Sequence, residues 1–274
     1  MSDGVLALER VNLEALGEEY RAATPETVER CGVVVRELEA GRLLAATRVD
    51  ILELNRFLGV GLTSAPSDAA LEEMIQVLAE VGSPRYFVPV APTEASRDVG
   101  RRLEDLGLRS YNNWMRLTRE VVDLPEVAPS SVTVARIGPA DAAGFGRILA
   151  EAFGFSPTIA PLATAVIGRP AWHHYLAYEN DEPVATAAMY VAGPGAWLGF
   201  AATLASHRGR GAQTALVIRR LQDAARENCR WVSVETAEET SEREVPSFRN
   251  LTRLGFSVAY RRPNYLWEAP DRRA

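Results

Sequence analysis

The segment His207-Arg208-Gly209-Arg210-Gly211-Ala212-Gln213-Thr214-Ala215-Leu216 combines the features of an anion site. Glycines at 209 and 211 let the backbone turn tightly and approach a ligand without side-chain interference. The residues that follow read as a helix, whose first turn presents unpaired N–H groups and the positive end of the helix dipole. Such a turn suits a pyrophosphate, and Arg208 and Arg210 add guanidinium charge. The same residues also fit an ordinary strand–turn–helix joint with surface arginines. Beyond this segment, Glu235 ends an alternating run, with Glu238 and Glu239 just after it. A carboxylate so placed could take a proton, and the pair beyond could attract a cation; most such pairs are simply solvated. His173 and His174 adjoin in a strand-like run, where a period of two turns one to each sheet face. One of them, with His174 as the candidate, could serve as a base; a structural histidine is the alternative. His207 beside the loop reads as exposed.

The elements that must hold these residues are legible in order. Val132–Ile137 alternates as a strand, and Pro139–Phe153 reads as a helix with Asp141 in its first turn. Trp172–Tyr178 and Pro183–Val191 are strand-like runs joined by Glu179-Asn180-Asp181-Glu182, which supplies hairpin chemistry. Trp197–Leu204 is a further strand and Ala212–Asn228 a helix with Leu216, Leu221, Ala224 and Ala225 near one stripe. Trp231–Thr236 alternates as a strand. Ser247–Leu254 is a short helix closed by Gly255, and Phe256–Trp267 contains the last strand. Trp172 and Trp197 read as core or pocket wall.

The N-terminal half repeats part of this order. Gly32–Val35 and Arg42–Val49 form a predicted hairpin around Gly41. Leu54–Leu62 is strand-like, Asp68–Val81 helical, Tyr86–Val90 a strand, Val99–Leu106 a helix and Asn113–Leu117 strand-like. Arg102-Leu103-Glu104-Asp105-Leu106-Gly107-Leu108 parallels Asn250-Leu251-Thr252-Arg253-Leu254-Gly255-Phe256, so the halves read as duplicated units. Val121–Ser131, with Pro125 and Pro129, breaks the pattern and marks a boundary between residues 1–125 and 131–274.

Bulk properties limit the function classes. The 274 residues are 47% hydrophobic and 24% charged, an ordinary globular balance. The net charge of -6 argues against a nucleic-acid surface, which needs clustered cations. Cys31 and Cys229 stand in no metal-ligand spacing and read as free thiols, so no metal is expected. No apolar run is long enough to span a bilayer, and no secretory signal is visible near Met1–Arg10. The expectation is a cytoplasmic protein without a membrane or nucleic-acid partner.

Arg208-Gly209-Arg210-Gly211-Ala212-Gln213 resembles the acyl-CoA-binding loop of the GNAT (general N-acetyltransferase) superfamily, R/Q-x-x-G-x-G/A. Arg208 and Gly211 match its first two fixed positions. Gln213 departs from the last, where a small residue is usual, and its amide could donate a hydrogen bond instead. Arg249-Asn250-Leu251-Thr252-Arg253-Leu254-Gly255-Phe256 resembles the closing helix and Gly-Phe ending of the same family.

The resemblance implies an α/β fold of two repeats, each a central, mostly antiparallel sheet flanked by helices. It implies acetyl-CoA, or a close acyl-CoA, entering a gap between the strands at 197–204 and 231–236. The pantetheine would run along the backbone of Ala202, Thr203 and Leu204. The pyrophosphate would meet Arg208, Gly209, Arg210, Gly211, Ala212 and Gln213, with Asn250 alongside. In the N-terminal repeat the equivalent loop, residues 59–67, lacks both the arginine pattern and a Gly-Lys-Ser/Thr, so that repeat is expected to be degenerate and without a cofactor. The family's usual acid is a tyrosine at a position that is Leu251 here; Tyr260 and Tyr265 are expected in the sheet. Glu235 becomes the candidate base. The implied reaction is transfer of an acetyl group to a primary amine, here a small-molecule acceptor, by direct attack in a ternary complex. A non-catalytic acyl-CoA-binding scaffold, or transfer of another acyl group or to a hydroxyl, are the alternatives.

Overall fold

The computed structural model describes residues 2–126 and 132–270, and its contacts divide the chain into two compact units, Met1–Arg116 with Ala259–Ala274, and Leu117–Val258. The first unit opens with α1 (Ser2–Arg21) and α2 (Pro25–Cys31), followed by β1 (Val33–Leu38) and β2 (Gly41–Ala46). After β3 (Arg56–Leu58) come α3 (Asp68–Val81), β4 (Arg85–Pro89), α4 (Val99–Asp105) and β5 (Arg109–Glu120). Strands β1, β2 and β3 pair antiparallel in turn, and β3 pairs parallel with β4. The apolar face of α3, with Ala70, Leu71, Met74 and Leu78, packs into a core with Leu43, Phe57, Tyr86 and Val88. Ser67 caps α3 by accepting from the Ala70 amide.

Three expectations for this unit need correction. Residues 54–62 hold only the short β3, because Gly59 and Gly61 take positive φ and the Leu62 amide closes a turn onto Gly59. β5 runs well beyond Asn113–Leu117 in both directions. The helices α1 and α2 were not expected at all. α1 does bury a helical stripe, but Asn12 and Glu19 stand on it among Leu8, Val11, Ala15, Leu16 and Tyr20. The partners of such polar groups lie far off in sequence. Arg262 reaches both oxygens of Glu9 at 3.0 and 2.9 Å, and Arg116 reaches Asn12 Oδ1 at 3.0 Å.

The second unit follows the same order with one more strand, β6, at its start. β6 (Val132–Ile137), α5 (Ala142–Phe153, after a 3-10 turn) and α6 (Ala160–Thr164) precede β7 (Trp172–Glu179), β8 (Glu182–Ala192) and β9 (Gly195–Thr203). Then come α7 (Ala212–Arg226), β10 (Trp231–Ala237) and α8 (Pro246–Arg253). Strands β6 to β9 pair antiparallel, and β9 pairs parallel with β10. The β7–β8 turn has positive φ at Asn180 and Asp181, the two central residues of a type I′ hairpin, as their chemistry predicts.

α7 is fixed to the sheet by polar contacts as well as by Leu216, Leu221 and Ala224. The Tyr175 hydroxyl donates to Asp223 at 2.8 Å, and Arg219 bridges Asp223 and the Val134 carbonyl at 3.0 Å each. Arg220, buried, donates to the Leu216 and Ala188 carbonyls, and burial lowers its pKa to about 10. Cys31 and Cys229 are both buried and form no disulfide among the described residues.

The last strand, β11 (Ser257–Glu268), completes the first unit's sheet: it pairs antiparallel with β4, Asn264 opposite Pro89. The end of β5 serves the second unit in turn, where Thr118 donates to the Val232 carbonyl and the Val121 amide to that of Arg230. Each repeat thus gives its final strand, wholly or in part, to the other unit. A cut between 125 and 131 separates the repeats in sequence, whereas the compact units divide after Arg116 and again after Val258. Residues 127–131 of that link, and 271–274, lie outside the described residues.

Glu19 supplies a stability test of the first unit. Burial pushes its carboxyl from an ordinary 4.5 up to about 8, against the attraction of Arg56. The folded carboxyl therefore stays protonated where the unfolded one has ionised, and this contribution is lost as pH rises from 4.5 through 8. Glu19→Gln lacks that titration. Thermal melts should show the variant gaining on the wild type between pH 5 and pH 8.5; equal shifts at both pH values would refute the assignment.

Candidate acyl-CoA site

The site begins where two strands part. β9 and β10 pair over Gly195–Leu198 and Trp231–Val234, after which β9 runs on to Thr203 and β10 to Ala237 without further pairing to each other. Within the continuation, β9 carries a bulge against β8: Ala188 faces Gly199 while Thr186 faces Ala202. Phe200 takes positive φ, 51°, and its carbonyl accepts from Thr186 Oγ1 at 2.9 Å. A bulge leaves one residue outside the ladder and re-aims its neighbours. From Gly199 onward, β9 therefore presents backbone groups toward the gap.

A cavity of about 740 Å³ opens beside that edge, within the size range of small-molecule sites. Its wall includes Ala201, Ala202 and Thr203 from β9, the loop residues His207, Arg208, Gly209 and Gly211, and Ala212, Gln213, Thr214 and Leu216 from α7. Gly211 lies just before α7 with φ 89°, a conformation suited to glycine, so the first turn of the helix faces the cavity with its amides. The remaining wall comes from α5 (Ala152, Phe153), from Thr186, and from Pro246, Ser247, Asn250 and Arg253.

Most residues expected to bind the cofactor meet here, and two do not. Leu204 is buried in the core with Phe145, Ile148 and Leu149, and its amide and carbonyl are already bonded to Val184 and His207. Arg210 turns to Glu179 at 2.9 Å and is not in the wall. Arg208 lines the cavity but uses its guanidinium to brace it, donating to the Thr203 and Ala152 carbonyls at 3.3 and 3.2 Å. Gln213 is held by Asn250: its Oε1 accepts from Asn250 Nδ2 at 3.1 Å, while Thr214 Oγ1 donates to Asn250 Oδ1 at 3.0 Å. The residue that departs from the family's loop therefore fastens α8 to the first turn of α7. Arg253, Ser247 and Phe153 were not expected in the site: of α8 only Asn250 was, and the end of α5 carries no local signal of it.

Glu235 is half-buried on β10, one residue past the last pair with β9, and stands outside the cavity wall. Glu239 orders the approach to α8. It accepts from the Val245 amide at 3.0 Å and pairs with Arg249 at 2.9 Å, contacts that hold its carboxyl below the usual range. Leu251 is buried in α8, where it offers no proton. His207 lines the cavity, its Nδ1 2.9 Å from Ser206 Oγ.

His174 is packed between the rings of Phe145 and Trp172, whose centroids lie 5.2 and 5.5 Å away, and is only 1% exposed. Burial, with His173 and Arg136 nearby, lowers its pKa to about 3, so the ring is neutral. It is not in the cavity wall. His173 faces the other way, 3.3 Å from Glu227. Trp172 and Trp197 join the same aromatic core, and Tyr260 and Tyr265 belong to β11 in the first unit. Among the described residues there is no cluster of three metal-ligating side chains, and no helix is long and apolar enough to cross a membrane.

The acetyltransferase (GNAT) family matches residues 145–256, from α5 to the end of α8. No curated protein matches the chain. Among solved structures it is similar to a GCN5-related N-acetyltransferase from Sphaerobacter thermophilus, at 21% identity and TM-score 0.61, over 98% of this chain and 93% of that one. It is likewise similar to a GCN5-related N-acetyltransferase from Kribbella flavida, at 18% identity and TM-score 0.61, over 89% and 91%. A tandem GNAT protein from the clavulanic acid biosynthesis pathway aligns at 15% identity and TM-score 0.59, over 83% and 78%. At these identities the likeness is one of fold, and it extends over both repeats. The parting strands, the glycine loop and the cavity all fall within residues 145–256, the segment that matches the acetyltransferase (GNAT) family, and the chain is an acyltransferase.

Proposed function

We propose that the second unit binds acetyl-CoA and transfers its acetyl group to a primary amine of a small-molecule acceptor, the two substrates reacting in a ternary complex. The observation that carries this reading is one cavity wall shared by the open β9 edge and the glycine loop at the start of α7. Amides of residues 209–213 suit a pyrophosphate. Backbone groups of Ala202 and Thr203 suit the amides of a pantetheine arm; those of Leu204, also expected to bind it, are taken by Val184 and His207. That arrangement brings the thioester to the bulge at Phe200, beside the point where β10 turns away. The first unit, whose equivalent loop lacks the arginine pattern, serves as a degenerate repeat without its own cofactor.

The chemistry then asks little of side chains. A neutral amine attacks the thioester carbonyl, the new C–N bond forms, the C–S bond breaks, and the amine proton must leave. Glu235, just past the split, is the base of this reading, acting directly or through one water. The thiolate needs no strong acid, because a thiol has pKa ~8.5 and departs near neutral pH. Leu251 at the usual tyrosine position is compatible with such a reaction, in which positioning supplies much of the rate. The acidic balance of the chain favours a cationic acceptor.

Calorimetry with acetyl-CoA should give micromolar binding to the wild type and none to Arg208→Ala/Gly211→Trp, whose melting should confirm that it is folded. A folded wild type that does not bind removes the proposal. Glu235→Gln should keep acetyl-CoA affinity while kcat on an accepted amine falls by roughly 10²- to 10⁴-fold, the usual range for a lost general base. Unchanged turnover would place the base elsewhere. Tight binding with no turnover on a broad amine panel would instead support a scaffold, the alternative that Leu251 favours.

A further inference from the structure

α5 ends in an aromatic pair that its packing does not use. Phe145 and Leu149 lie on the buried stripe of the helix, and Phe153, one turn further, continues that stripe past its partners into solvent. Phe153 is 53% exposed. The helix closes with Gly154 in the left-handed region; the Phe155 amide bonds the Ala150 carbonyl at 2.8 Å and the Gly154 amide that of Glu151 at 3.1 Å. These are the two hydrogen bonds of a Schellman cap, which fix the chain on both sides of the glycine. In that cap the residue after the glycine commonly packs back on the last turn. Here Phe155 does so by stacking on Phe153, centroids 5.5 Å apart and planes 19° from parallel.

This pair belongs to the cavity already described. Phe153 lines its wall, and the carbonyl of the preceding Ala152 is held by Arg208 at 3.2 Å. A flat, rigid, exposed aromatic surface is therefore tied to the loop that faces the phosphates. We propose that Phe153, backed by Phe155, is the platform on which the nucleotide base of acyl-CoA stacks; the inference rests on the acyl-CoA reading above. Of the parts of that ligand, the acetyl group is small, the pantetheine is a thin chain and the pyrophosphate is anionic. Only the base offers a π-face to match a phenyl ring.

The test compares CoA with 4′-phosphopantetheine, which lacks the base, by calorimetry on the full chain. Phe153→Ala should weaken CoA roughly ten- to hundredfold, the range for a lost base–aromatic stack, and leave 4′-phosphopantetheine unchanged. Phe153→Trp should retain CoA affinity, with indole fluorescence quenched by CoA and not by the shorter ligand. Because Phe153 is exposed, both variants should melt as the wild type does. Equal effects of Phe153→Ala on the two ligands would overturn the proposal and assign Phe153 to bracing the loop. An unchanged CoA affinity with a raised KM for the amine would overturn it in favour of an acceptor contact. A wild type that binds neither ligand would overturn the acyl-CoA reading and the platform together.

Discussion

Four residue pairs hold β9 to β10, and the site depends on the absence of a fifth. Two interior strands that separate expose N–H and C=O groups that would normally be paired, and such groups demand partners. The structure enforces the parting locally. The ring of Trp231 lies against Gly195, where any Cβ would meet it at 2.2 Å, and that of Trp197 lies against Gly199 at the same distance. Two glycines thus make room for two indoles at the two ends of the paired segment. One residue later the bulge at Phe200 turns the β9 backbone away, and Thr186 holds it there.

The proposed acyl-CoA reading asks that something anionic be held at the end of the gap, and the first turn of α7 is the candidate for it. That turn must point into the cavity, so the body of the helix must not rotate or slide. The buried Tyr175–Asp223–Arg219 contacts and the two carbonyl bonds of Arg220 fasten the helix to β6, β7 and β8 far from the site. At the other end Asn250 joins α8 to Gln213 and Thr214. Glu239 and Arg249 in turn set the start of α8. Apart from Asn250, Gln213 and Thr214, these groups stand outside the cavity wall, yet they set where the amides of the loop stand.

What could be read from the sequence follows from how local each feature is. α3 and β6 fall on their expected bounds, and α7 and β10 nearly so, because alternation, helical stripes and glycine stops are written in neighbouring residues. The glycine loop and its place between strand and helix were legible for the same reason. α1 was not, since its buried face includes Asn12 and Glu19, and groups such as Glu9 and Asn12 find their arginines more than one hundred residues away. Arg210 was expected on the phosphates because its charge is visible in the loop, whereas Glu179, which takes it, sits in a distant hairpin. Arg253, Ser247 and Phe153 enter the cavity wall by the way separate elements converge. No spacing within one segment announces that.

The placement of β11 in the first unit has a consequence for how the chain is made. Pro89 on β4 waits for Asn264, and at ~5–20 residues per second of synthesis that wait lasts roughly 10–35 s. Until then α1–α4 and β1–β4 have a sheet with an open edge at β4, and Glu9 lacks Arg262. Long-range strand pairing is slow and leaves edges open to wrong partners while it is pending. The N-terminal repeat is first to emerge and last to finish, so a nascent chain of this design is held incomplete until its far end arrives.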